Sequence, residues 1–437
     1  MKPTITAVLL AGGQSTRFAP FVEKSSFVFL GKPFLAWHYE QLSRLGIQNV
    51  VVVTSEMNDV SIRSIEVPKG LKVSYVVQQK QGQVQAVLAL ESVCSGAVLL
   101  LNASDYYEDA CITSFLSRIE GKDILLGAIK TENYFPGGYL KLDTGGTVSE
   151  IIEKPKKGEE PSDVVRILID FVPDISLFIK SAKQHADNAA SGYEEALNDL
   201  IRQGSAAKAR VTENKNWQPI KYPWNVLDVM DKFLSELEGQ QIDKSVVIKS
   251  NVIIEGPVII ESGVKIFEGT KIVGPVFIGK NTIVGNNNII RSSTIGADCV
   301  TGFNTDITRS RIGDGCWFHT NYIGDSVIGK NVSMGSGTVT ANLRLDDGEI
   351  QSVVKEERID TGRSKLGAMI GENVRIGVNA STMPAIKIGS DSFIAAGIVL
   401  TQDIPSGSFV RPVSVGFVVK ENTKAAATSR DGFRKAI

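Results

Sequence analysis

One period dominates the second half of this chain and restricts what it can fold into. Counting in sixes, positions 248, 254, 260, 266, 272, 278, 284 and 290 are Ile, Ile, Ile, Ile, Ile, Ile, Val and Ile. Positions 246, 252, 258 and 264 are all Val. The pattern returns at Ile370, Ile376, Thr382, Ile388, Ile394 and Leu400, with Val374, Ile386, Ile398 and Ile404 beside it. A helix repeats at about 3.6 residues and a lone strand at about two, so neither accounts for it. A Val-rich sandwich would not keep so many matched positions in a row. An aliphatic residue every six, set among Gly, Asn and Asp, predicts a parallel β-helix of hexapeptide rungs. Each short strand points one aliphatic inward and then turns. The phase slips near Ser293–Thr305, and Leu343–Gly367, charged and aperiodic, reads as an inserted loop. The coil is expected over residues 239–418, with a polar, frayed tail at 419–437.

The first half follows another rhythm. It holds 16 of the 41 glycines in residues 1–238, against 25 in the shorter remainder. Thr4–Leu10 is a continuous apolar run. Pro33–Leu45 opens with Pro, spaces its apolar residues helically and stops at Gly46. Asn49–Thr54, Val73–Val77, Val98–Asn102 and Ile124–Ile129 are strand-like. Strands alternating with helices predict an α/β, Rossmann-like domain with a mainly parallel sheet over residues 1–238.

Composition removes several function classes. Lys plus Arg is 47 and Asp plus Glu 48, a net charge of −1, which argues against a general phosphate-backbone binder; no nucleic-acid partner is expected. No stretch approaches the roughly 20 apolar residues of a membrane span, and Ile5–Ala11 runs straight into a glycine turn, so it reads as a buried strand. Cys94, Cys111, Cys299 and Cys316 are too few and scattered for a disulfide framework or CxxC metal site. Reduced thiols and a cytoplasmic location are expected.

Two stretches carry candidate chemistry. In the first, Leu10-Ala11-Gly12-Gly13-Gln14-Ser15-Thr16-Arg17-Phe18 follows a strand, and Lys24 lies seven residues beyond Arg17. It is neither a Walker loop nor GxGxxG. Such a turn either points backbone N–H groups at phosphate oxygens, with Arg17 and Lys24 adding charge, or simply joins strand to helix. In the second, His319 lies inside the hexapeptide region, unlike His38 and His185, which read as structural.

In order along the chain, LLAGGQSTRF, Lys24 and Gly31-Lys32-Pro33, the strand Val98–Asp105, the segment from Asp143 to Glu153-Lys154-Pro155, and Tyr222-Pro223-Trp224 resemble the signature of sugar-1-phosphate nucleotidylyltransferases. The run Phe318–Ser326 and Gly335–Arg344 resembles the hexapeptide acyltransferases fused to them. Together the chain resembles archaeal-type bifunctional UDP-N-acetylglucosamine pyrophosphorylase/glucosamine-1-phosphate N-acetyltransferases. The resemblance implies a left-handed coil, a homotrimer, and two transfers. In the first, a sugar-1-phosphate attacks a nucleoside triphosphate, UTP or dTTP, and pyrophosphate leaves. Leu10, Ala11, Gly12, Gly13, Gln78 and Gly82 would hold the nucleotide, Arg17 and Lys24 the departing pyrophosphate, Tyr139, Glu153 and Lys154 the sugar phosphate, and Asp105 a Mg²⁺ ion. In the second, acetyl-CoA would acetylate an amino-sugar phosphate with His319 as base and Tyr322 and Asn342 as orienting groups.

The sequence departs from that pattern at named places. Ser15 stands for Gly, Glu23 for Pro, Gln83 for the usual Thr, Leu140 for Gly and Arg166 for Asn, while Pro219 occupies the second metal Asp. Gly348 and Gln351 stand where lysines would meet coenzyme A phosphates. An impaired first half is therefore expected. Two other readings compete: a monofunctional hexose-1-phosphate nucleotidylyltransferase with a scaffold coil, and a non-catalytic regulatory subunit of the same architecture.

Overall fold

Five of the expected strands of the first half lie in one sheet, and two of them have the bounds read from the sequence. In a computed structural model, which describes residues 4–119, 122–413 and 416–423, Thr6–Leu10 pairs in parallel with Asn49–Thr54 on one side and Val98–Asn102 on the other. Lys72–Val77 extends the parallel part beyond Asn49–Thr54. The other side is mixed: Val164–Val172 pairs antiparallel with Val98–Asn102, with Ile124–Lys130 and at one point with Gly138–Leu142, which carries Val148–Glu153, while Ala207–Thr212 pairs in parallel with Ile124–Lys130. The central strands are apolar on both faces because helices cover both. Leu9, Val52 and Leu99 fall in one apolar cluster and Val8, Val53 and Leu100 in another. Helix Phe34–Arg44 follows Pro33 and buries Phe34, Leu35, Ala36, His38, Tyr39 and Leu42. It ends before Gly46, whose φ of +83° suits a residue without Cβ.

The second half coils. Val258 pairs in parallel with Val276, and Lys271 with Ile289, each 18 residues on, which is three hexapeptides per turn. Two faces are eight-stranded, and the third is built from a three-stranded and a five-stranded piece joined by single bridges through Val300 and Trp317. This is the architecture of a left-handed hexapeptide β-helix. Its interior is a column of Ile, Val, Cys and Met side chains, from Val258 to Val410.

The structure adjusts three expectations. Leu343–Gly367 is not an irregular loop: Ile350–Val354 and Glu357–Arg363 form an antiparallel hairpin between two coils. The pairing also runs past residue 418, since Gly416–Glu421 pairs antiparallel with Ser408–Val413; residues 424–437 of the expected tail lie outside the described residues. Finally, contacts divide the described chain at Pro219 rather than at residue 238. One unit comprises residues 4–14, 23–27 and 33–219; the other comprises 15–22, 28–32 and 220–423. The helix Asn225–Ser235 belongs with the coil because its apolar side meets coil residues, as where the Thr294 hydroxyl faces Met230 Sδ at 3.7 Å. Arg311, buried in the coil, donates to the carbonyl oxygens of Val28 and Ile328 and ties residues 28–32 to the same unit. Among the described residues no helix is long and apolar enough to cross a membrane, and Cys94, Cys111, Cys299 and Cys316 are unpaired.

Candidate functional sites

The first unit gathers most of the residues expected to hold nucleotide and sugar phosphate. The strand Thr6–Leu10 ends at Leu10 and Ala11, both buried, and the Ala11 N–H donates to Val53 O at 2.8 Å. Gly12 has to be glycine: a Cβ there would lie 2.4 Å from Gln78 Oε1, so the two residues assigned to the nucleotide are in contact. Gly13 is exposed with open space around it. Gly82, at φ +110°, starts the helix Gln83–Ala89, and a side chain on it would press on Ala189. Arg17 falls with the second unit, in an exposed position; Ser15, standing for the usual Gly, adopts φ +52°, the conformation glycine tolerates best.

On the sugar side, Glu153 Oε1 and Lys154 Nζ form an ion pair at 2.6 Å, and Gly138 lies against the Glu153 carboxylate. Lys154 takes φ +47° as the chain leaves its strand. Tyr139 sits differently from its expected role. Its ring is buried in the core and its hydroxyl accepts from the Phe135 N–H at 2.8 Å, so the side chain supports the site from beneath. Arg166 is also buried, bonded to Asp170 Oδ2 at 2.5 Å and Glu194 Oε1 at 2.8 Å, its guanidinium over the Tyr193 ring.

Asp105 was assigned a magnesium ion, and its surroundings test that. Its oxygens accept from Trp217 Nε1 at 2.9 Å and Asn102 Nδ2 at 2.8 Å. Burial, only partly opposed by those bonds and by the charge of Lys24, raises its pKa to about 7. Directly across the strand pair stands Pro219, which has no ligating side chain. Among the described residues no cluster of three or more His, Cys, Asp or Glu is placed to hold a metal. One buried carboxyl with a raised pKa, facing a proline, does not fit a magnesium site.

The second unit builds a tighter constellation. His319 is exposed, but its backbone is fixed: its N–H donates to Asn321 Oδ1 at 2.8 Å, and its carbonyl accepts from the Thr305 hydroxyl at 2.7 Å. Three residues on, the Tyr322 hydroxyl accepts from Asn342 Nδ2 at 3.1 Å, and the same amide reaches Asp325 Oδ2 at 2.5 Å. Arg309 grips Asp325 with two bonds, of 2.6 and 2.8 Å. Gly324 lies under the pair, since a Cβ would sit 2.7 Å from both Asn342 Nδ2 and the Tyr322 hydroxyl. The sequence reading missed Asp325 and Arg309 as site residues, although Asp325 lies within the run Phe318–Ser326. Of the positions near the coenzyme A question, Gln351 bonds Asp360 across the hairpin at 2.8 Å and Gly348 lies beside Arg344 and Asp346.

Comparison with known proteins agrees in both halves. A nucleotidyl transferase family model matches residues 6–233, and a model for the hexapeptide repeat of succinyl-transferase matches residues 367–402. "Bifunctional protein GlmU" from Methanococcus maripaludis is 35% identical over 412 residues, covering 92% of this chain and 96% of its own length. The "bifunctional sugar-1-phosphate nucleotidylyltransferase/acetyltransferase" of Sulfurisphaera tokodaii is 31% identical over 416 residues, covering 93% of this chain and 99% of itself. A solved UDP-glucose pyrophosphorylase complexed with UDP-glucose aligns with 47% of this chain and 89% of its own, at 16% identity and a TM-score of 0.42.

Proposed function

The chain belongs to the nucleotidyl transferase family, joined to a hexapeptide-repeat domain, and we propose that it serves sugar-nucleotide biosynthesis with two transfers. The observation that carries this reading is the Tyr322–Asn342–Asp325 cluster, three residues along the coil from an exposed His319, in a chain that matches two-activity relatives over 92–93% of its length. In the second unit, the amine of an amino-sugar-1-phosphate attacks the acetyl-CoA carbonyl. The C–N bond forms, the C–S bond breaks, His319 takes the amine proton and passes it to the departing thiolate. Tyr322 and Asn342 orient the reactants. In the first unit, a sugar-1-phosphate oxygen attacks the α-phosphate of UTP or dTTP and pyrophosphate leaves. The turn at Gly12-Gly13 receives the phosphates, Lys24 offsets the charge of the leaving group, and Glu153 and Lys154 hold the sugar phosphate. Without a second carboxylate at position 219 this transfer is slow.

The coil assembles as a homotrimer on this reading. Ile253, Ile289 and Val399 occupy one outward column of a single face and are 49, 42 and 51% exposed, apolar positions set among Lys271, Asp306, Tyr322 and Ser381 on a face that a second copy would cover. The unpaired cysteines suit a reducing cytoplasm.

The test follows thiol release from acetyl-CoA with amino-sugar phosphates and pyrophosphate release with each triphosphate. His319→Ala is expected to lower thiol release by about 10²- to 10⁴-fold with unchanged melting. Pyrophosphate release without thiol release points to the monofunctional reading, and neither release to the regulatory one. A monomer in sedimentation equilibrium removes the trimer.

A further inference from the structure

The first unit contains a buried polar clamp centred on Asn58. Asn58 is 4% exposed, and its amide uses its full hydrogen-bonding capacity. Oδ1 accepts from the Ser55 N–H at 2.8 Å and the Ser55 hydroxyl at 3.1 Å. Nδ2 donates to Ala11 O at 2.8 Å and to Glu23 Oε2 at 2.7 Å. Since a carbonyl and a carboxylate only accept, and a backbone N–H only donates, the amide has one orientation. The other Glu23 oxygen accepts from the Ser25 N–H at 2.9 Å.

Two elements meet in this one side chain. Ala11 is the last residue before Gly12-Gly13, and Glu23 and Ser25 flank Lys24. The clamp therefore fixes the start of the glycine turn and the backbone on both sides of the lysine against each other. Glu23, which stands for a proline, replaces the stiffness of a ring with hydrogen bonds. Apolar packing would hold the loop as firmly; a fully satisfied polar network adds a single defined geometry.

We infer that Asn58 and Glu23 are positioning residues for the triphosphate, holding the turn and Lys24 at the separation its phosphates require. The role rests on the nucleotidyl-transfer reading of this unit. A lysine loop already ordered loses less freedom when the anion binds, so the clamp acts on affinity for triphosphate and pyrophosphate.

Asn58→Asp tests this with almost no change in volume, because it turns the two Nδ2 donor contacts into acceptor facing acceptor. Calorimetry with UTP and with inorganic pyrophosphate is expected to show about 10- to 100-fold weaker binding. Adding Glu23→Gln returns a donor to that contact, and the double variant should recover part of the loss. Circular dichroism and a cooperative urea transition of the first unit, matched to wild type, report that the variants are folded. Should Asn58→Asp not fold, Glu23→Gln alone is expected to weaken binding several-fold. Unchanged affinity in the folded variants, even with a lowered melting temperature, overturns the inference, as does a double variant no better than Asn58→Asp. A wild type that binds neither UTP nor pyrophosphate overturns the nucleotidyl-transfer reading itself, and the clamp's role with it.

Discussion

Replacing His38 by leucine is expected to give the first unit a pH-dependent stability that the wild type conceals. His38 is 3% exposed, its Nε2 has no partner, and burial lowers its pKa from 6.5 to about 4 against the opposing bond to the Ala103 backbone. Asp105, in the same unit, is raised by burial from 3.8 to about 7. At pH 5.5 the unfolded chain carries a charged imidazole and an ionised carboxylate; the folded chain carries both groups neutral. Each state holds one proton on the pair, so folding moves it from His to Asp and the net uptake is zero. The separate costs are large. For His38, a depressed base, stability is full above pH 6.5 and is lost as pH falls towards 4, about 3 kcal/mol in all. For Asp105, a raised acid, stability is full below pH 3.8 and is lost as pH rises to 7, about 4 kcal/mol. Between roughly pH 4.5 and 6 the two slopes oppose each other at about 1.4 kcal/mol per pH unit. His38→Leu should expose the falling slope, a loss of about 2 kcal/mol across that window. Asp105→Asn should expose the rising one. Urea unfolding in EDTA at several pH values, each variant taken as a difference from wild type, cancels the other titrating groups. Difference curves that stay flat with pH for either variant would refute the reasoning.

Two further outcomes follow from the sites. Pro219→Asp puts a carboxylate across from Asp105 and should create a magnesium-dependent stabilisation of about 2.7 kcal/mol at a hundredfold excess over Kd, read by thermal unfolding; a wild type already stabilised by magnesium, and no longer so in Asp105→Asn, means the metal site exists without it. Gly324→Ala drives a methyl between Asn342 and the Tyr322 hydroxyl, both side-chain ends that can swing away, so melting should change little while acetyl transfer falls on the order of tenfold or more; a wild-type kcat would show that this contact does not serve transfer.

How much of this was legible depends on whether a feature is periodic. The rungs were, because one inward aliphatic per hexapeptide is the condition for stacking. Asn49–Thr54 and Val98–Asn102 were, because strands buried on both faces are unbroken apolar runs. The hairpin at 350–363 was not: its two-residue turn is Lys355-Glu356, at φ +49° and +71°, without the Asn-Gly or Asp-Gly that marks such turns. Nor was the clamp, since Asn58 reaches 47 residues back to Ala11 and 35 back to Glu23, and nothing local announces either bond. The helix Asn225–Ser235, which follows the Tyr222-Pro223-Trp224 element, packs with the coil, because motif order says nothing about which surface buries an amphipathic face.

The acyl-transfer candidates lie where the repeat itself fails. Early coils advance 18 residues, as from Lys271 to Ile289. Ile289 to Asp306 takes 17, Asp306 to Tyr322 takes 16 and Tyr322 to Val339 takes 17, before Ser381 to Val399 restores 18. A coil that loses residues must take them from its corners, since the strands still pair in register. The shortened turns are the ones that carry His319, Tyr322 and Asp325, the acyl-transfer candidates and their partner. Gly302 abuts the His319 backbone so closely that a Cβ would lie 2.2 Å from its carbonyl oxygen. Asp325 takes φ +47° at the end of its rung. Arg309 and Asp325, 16 residues apart, meet because the coil between them is 16 long. A regular coil of 18 would have carried them out of register. The phase slip near Ser293–Thr305 therefore marks the start of the stretch in which successive coils bring polar corner residues together. Stability in this half comes from the regular rungs, and the acyl-transfer candidates sit where local rules give way to tertiary ones.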